Sequence, residues 1–97
     1  MVDQWETCEI QAVYSVDPQG SRGCFWAKAS SPDGEYNAGD SADFPCGRPI
    51  RSTLDAQNAL TPLVRELVQA GWDPTHLRGP NWFSHRFRRR IVPEGTG

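Results

Sequence analysis

From Trp5 to Val16 the chain alternates. Cys8, Ile10, Ala12, Tyr14 and Val16 fall on one face, with Thr7, Glu9 and Gln11 on the other. A period of two over this length predicts a strand. Asp17-Pro18-Gln19-Gly20 then reads as a turn, with Pro fixing φ and Gly supplying positive φ. Gly23 to Ser30 is a second strand. Ser31-Pro32-Asp33-Gly34 is another turn, and Glu35 to Phe44 a third, weaker strand because it holds Asn37, Gly39 and Asp40. Phe44-Pro45-Cys46-Gly47-Arg48-Pro49 is expected to be irregular.

The turns set the facing. With residues 17–20 as the loop, Val16 lies opposite Ser21, Ile10 opposite Ala27, Ala12 opposite Phe25, and Glu9 opposite Lys28, a favourable charge pair. The next turn puts Ala29 opposite Tyr36 and Ala27 opposite Ala38. One face thereby collects Cys8, Ile10, Ala12, Tyr14, Phe25, Ala27, Ala29, Tyr36 and Ala38, apolar with small residues at its centre. A sheet needs such a face where a helix crosses it.

The period changes after residue 50. Leu60, Leu63, Val64, Leu67 and Val68 recur at the spacing of an amphipathic helix. Thr53 can cap it, with Asp55 favourable in the first turn. Pro62 inside such a helix removes a hydrogen bond, so a later start with Thr61 as the cap is the alternative. Gly71 ends it in either case. The favoured reading is helix from about Thr53 to Ala70, bent near Pro62. Beyond it, Trp72 to Leu77 and Trp82 to Val92 read as a final hairpin. Its first strand is shortened by Pro74, and its second places Phe83, Phe87 and Ile91 on one face against Trp82, Ser84, Arg86, Arg88 and Arg90 on the other. Residues 93–97 are expected to fray. The prediction is a single α+β domain over residues 1–97. It has one antiparallel sheet of four to five strands, βββαββ, with one amphipathic helix packed on one face and strand order 3-2-1-5-4.

Composition changes this picture little. The 97 residues are 37% hydrophobic with four Trp, too apolar and aromatic for a disordered chain. No apolar run approaches the roughly 18 residues of a membrane span and no signal peptide is evident, so a cytoplasmic protein is expected. The basic residues are nine Arg and Lys28, a bias expected of a GC-rich genome. Net charge is −2, yet residues 1–77 carry −6 and residues 78–97 carry +4, a dipole suited to an anionic partner or to a second copy.

Three short signatures bring a resemblance into view: Trp5-Glu6 opening the first strand, Gly71-Trp72-Asp73 after the helix, and Phe87-Arg88-Arg89 in the last strand. Together they resemble small bacterial domains of unknown function with a Trp-Glu opening, Gly-Trp-Glu after an amphipathic helix, and a closing Phe-Lys/Arg-Arg. The end NWFSHRFRRR is similar to small actinobacterial proteins. Asp73 stands where that pattern has Glu, and the strands between residues 22 and 44 depart from its shorter form. The resemblance implies the fold and carries no activity.

The chemistry-bearing residues are sparse. Cys8, Cys24 and Cys46, with His76 and His85, lack the paired spacing of a zinc site, and three thiols without C-x-x-C form no disulfide framework. Neither a metal nor another cofactor is expected. Cys46 with His76 or His85 is the one conceivable nucleophile–base pair, and no Gly-rich oxyanion or phosphate loop accompanies it. An enzyme is therefore not expected. The sheet face away from the helix says more. Trp26, Lys28, Trp82, Arg86, Arg88 and Arg90 would gather there, a mixture enriched at protein interfaces. The leading expectation is a non-catalytic interaction module or homodimer using that face, because one helix cannot cover both sides of a sheet. The alternative is single-stranded nucleic acid, with bases stacked on Trp and phosphates on Arg. Trp5 is assigned to the sheet edge, and Trp72 to closing the helix end over the core.

Overall fold

The computed structural model describes residues 4–91. Among them the chain runs β1 (Trp5–Asp17), β2 (Gly20–Ser31), β3 (Gly34–Asp40), β4 (Phe44–Pro45), α1 (Leu54–Gln69), β5 (Asp73–Arg78) and β6 (His85–Arg90). The fold is α+β: one antiparallel sheet in the order β3-β2-β1-β6-β5, with the two-residue β4 added on β2 and one helix packed on one face. The frayed end expected at 93–97 lies outside the described residues.

The β1–β2 register is the one the turn arithmetic predicts, with Val16 opposite Ser21, Ile10 opposite Ala27 and Glu9 opposite Lys28. In the β2–β3 ladder Ala29 meets Tyr36 as expected, but a bulge after Ala27 brings Gly39, not Ala38, opposite Ala27. The helix explains that exchange. A Cβ on Gly39 would come 3.1 Å from Leu63 Cδ1, a tight contact that glycine avoids opposite Ala27. The third strand stops at Asp40 rather than running to Phe44. Phe44 and Pro45 instead return to pair with Gly23 and Arg22, and the Phe44 ring stacks on Phe25 with centroids 4.8 Å apart. A stretch expected to be irregular thus contributes an aromatic to the core.

Thr53 is the N-cap, its hydroxyl accepting from the Ala56 N–H at 3.2 Å, and Pro62 lies inside the helix. The early start prevails because Ala56, Ala59 and Leu60, all ahead of Pro62 or beside it, are buried against the sheet. Burial there offsets the hydrogen bond Pro62 cannot make. At the other end Gly71 takes φ +96°, and the N–H groups of Gly71 and Trp72 donate back to the carbonyls of Val68 and Leu67. These are the bonds of a left-handed helix cap, which glycine adopts without strain. The helix then rests on Ala27 and Ala29, both wholly buried, with Cys8, Ile10, Phe25 and Phe87 completing the layer beneath. Small side chains at the centre let it approach closely.

The last hairpin differs most from expectation. β6 begins only at His85, and residues 79–84 are a loop closed by Gly79 N–H to the Ser84 carbonyl at 2.9 Å. Across β5–β6 the pairing moves from Pro74–Phe87 to Arg78–His85, so Thr75, His76 and Leu77 bulge opposite the single residue Arg86. Thr75 Oγ1 donates to the Arg86 carbonyl at 3.1 Å and accepts from the Leu77 N–H at 3.2 Å, which holds the bulge in shape.

Candidate functional site

The sheet face away from the helix carries a groove of about 870 Å³. Thr7, Glu9 and Gln11 of β1, Lys28 and Ser30 of β2, and Arg86 and Arg88 of β6 form its floor, and the β5 segment Pro74–Leu77 forms its wall. The alternation that buries Cys8 and Phe87 turns Thr7, Glu9, Arg86 and Arg88 outward, and the bulge raises β5 into a lip. Leu77, 66% exposed, stands on that lip.

Two of the three cations on the groove floor, Lys28 and Arg86, are paired with carboxylates. Arg86 Nε meets Glu9 Oε2 at 2.6 Å, and the Gln11 amide donates to the other Glu9 oxygen. Lys28 Nζ meets Glu35 at 2.8 Å, and that partner raises the ammonium pKa further above its ordinary value. The Arg88 guanidinium lies 4.9 Å from the Trp5 ring centre, a cation–π contact at the partly exposed start of β1. Trp5 is therefore at the end of a central strand, not on a sheet edge.

Of the six residues expected on this face, Lys28, Arg86 and Arg88 line the groove. Trp26 shares the face, opposite Gln11, without lining the groove, and Arg90 lies opposite Trp5 in the β1–β6 ladder. Trp82 does not belong with them. Its ring packs edge-on against Phe25 and Phe83, and its indole N–H donates to the Ile50 carbonyl at 2.9 Å. Residues 79–84 form a loop, where the alternation of a strand does not apply.

Cys46 and the histidines are not brought together. Cys46 packs beside Gly23 and Phe44, and burial raises its thiol pKa; no hydrogen bond joins it to His76 or His85. His85 instead has Nε2 3.3 Å from Arg78 Nη1, and burial followed by the Arg78 charge lowers its pKa. The Cys8 thiol, buried in the core, is pushed up to about 11. The raised pKa of each thiol leaves little thiolate near neutral pH. Among the described residues no group of three or more His, Cys, Asp or Glu is placed to hold a metal, and no helix is long and apolar enough to cross a membrane.

One cluster was not singled out from the sequence. Arg89 lies on the helix side of β6, where Nη2 meets Glu6 Oε1 at 3.1 Å and the Tyr36 hydroxyl at 3.2 Å, while Nη1 donates to the Ala70 carbonyl at 3.0 Å. The Tyr36 hydroxyl donates to the same Glu6 oxygen, and the Arg89 guanidinium stacks 4.4 Å from the Trp72 ring centre. Residues of all three short signatures, Glu6, Gly71-Trp72 and Arg89, thus meet at the end of the helix. The signal was present: the same alternation that turns Arg86, Arg88 and Arg90 outward turns Arg89 inward, and it sets Glu6 beside Cys8. Two opposite charges on a core face imply a pair. Comparison with protein-family models, with curated proteins and with solved structures gives no match.

Proposed function

We propose that this chain is a non-catalytic protein-interaction module that holds a polypeptide segment in the groove opposite the helix. The observation that carries this reading is a groove in which Arg86 is paired with Glu9, Lys28 with Glu35 and Arg88 lies over the Trp5 ring, beside a raised lip bearing exposed Leu77. A phosphate backbone is held by unpaired cations that displace its condensed counterions. Paired charges around an exposed apolar side chain match the polar rim and apolar anchor of a protein interface instead. An extended peptide can lie along β5 and β6, with apolar side chains on Leu77 and Pro74 and polar ones over Thr7 and Gln11.

Panning a random-peptide display library against the protein tests this, with a Thr7→Trp variant that fills the floor as the control. Enriched peptides should change the fluorescence of Trp5 and Trp26, and Thr7→Trp should bind them at least tenfold more weakly. Peptides that bind both proteins equally overturn the proposal. So does failure to enrich any sequence. Quenching by short single-stranded DNA or RNA that falls steeply with salt also overturns it, in favour of nucleic acid.

A further inference from the structure

We infer that a second copy of this chain pairs with the free edge of β1 near Ser15, joining two sheets across a two-fold axis. The groove takes no part in this contact. β6 pairs β1 only from Trp5 to Glu9, whereas β1 continues to Asp17. The β1–β2 hairpin therefore extends past β6 as an arm, consistent with a described chain 53 Å long against 25 and 21 Å in the other directions.

The backbone of that arm has a defined sense. The Ile91 N–H donates to the Gln4 carbonyl at 2.9 Å, so Gln4 directs its polar groups toward β6. The β1–β2 register runs without a bulge from Thr7 to Asp17. Antiparallel alternation then turns the N–H and C=O groups of Tyr14 and Val16 to the same side, where no described strand meets them, while Val13, Ser15 and Asp17 bond to β2.

The other exposed edges of the sheet are guarded. β5 carries Pro74 and a bulge, and β3 carries a bulge together with Glu35 and Asp40. Such devices keep an edge from pairing with another chain. Tyr14-Ser15-Val16 has no proline, charge or bulge, and Val16 is 70% exposed. An antiparallel second copy centred on Ser15 puts Tyr14 opposite Val16 on both sides of the axis and satisfies all four of these groups on each chain. Val13 faces Asp17, so no like charges lie directly opposite. The overlap is only five residues on each arm, Val13–Asp17. That is smaller than the roughly 1,000 Å² of a stable interface, so a weak, concentration-dependent dimer is the expected form.

Sedimentation velocity from about 10 µM to about 1 mM reads this association, since an interface so small holds in the upper part of that span. Wild-type protein should shift from monomer toward dimer. Val16→Pro removes only an outward N–H, so it should stay monomeric while keeping its circular dichroism. Ser15→Lys leaves the backbone intact but puts two like charges opposite each other on the axis, and should also stay monomeric. Mixing Ser15→Lys with Ser15→Glu should restore the dimer. A wild type that remains monomeric throughout overturns the inference. A dimer that survives both Val16→Pro and Ser15→Lys does so as well, because its contact must lie elsewhere.

Discussion

Replacing Arg89 with Met tests how the helix is held to the sheet. The guanidinium serves the Glu6 carboxylate, the Tyr36 hydroxyl, the Ala70 carbonyl at the helix end and the Trp72 ring. A hydrogen bond to a charged group contributes about 1.5–3 kcal/mol and a cation–π contact about 0.5–2 kcal/mol. The Arg89 side chain is 32% exposed, so solvent screens part of this; the Glu6 side chain is 10% exposed and loses its counter-charge in a site where water replaces it poorly. The net expectation is about 2–4 kcal/mol of lost stability. For a domain of this size, at about 4–8 °C per kcal/mol, that is a fall in Tm of roughly 8–32 °C. Arg88→Met is the control: it removes the same charge from the adjacent position, where the guanidinium lies over partly exposed Trp5, and should cost less than about 1 kcal/mol. Urea titration followed by far-ultraviolet circular dichroism measures both. A double-mutant cycle with Glu6→Gln should give a coupling of about 1–2 kcal/mol. Equal losses from Arg88→Met and Arg89→Met, or a coupling near zero, refute the clamp.

Two further outcomes follow from the packing and the charges. Burial and the neighbouring Arg78 lower the His85 pKa from its ordinary 6.5, so the unfolded chain takes up a proton first as pH falls. Stability should therefore decline below pH 6.5 until the folded-state pKa is passed, and His85→Gln should remove that part of the decline in urea midpoints compared across pH. Ala27 is fully buried beneath the helix, so Ala27→Leu forces the two layers apart and should cost about 1–3 kcal/mol; a neutral result by thermal unfolding would show that the helix does not rest there.

The sequence alone determined the fold class, the β1–β2 register and an amphipathic helix stopped at Gly71. These follow from local rules: period-two and helical alternation, turn residues that set φ, and a two-sided choice of face. It also separated the outward charges from the core correctly wherever the chain is a regular strand. Three features were decided only by the tertiary structure. The close approach of Leu63 on the helix favours a residue without Cβ opposite Ala27, and a bulge that shifts the β2–β3 register by one puts Gly39 there. The loop at residues 79–84 turned Trp82 inward against Phe25, since its direction depends on the chain closing from Gly79 to Ser84 and not on parity. The Thr75–Leu77 bulge built the groove wall, because Pro74 and the Thr75 side-chain bonds leave an edge strand free to take extra residues. Periodicity assigns a side chain to a face; whether that face then meets a helix, a loop or water is set by residues distant in sequence.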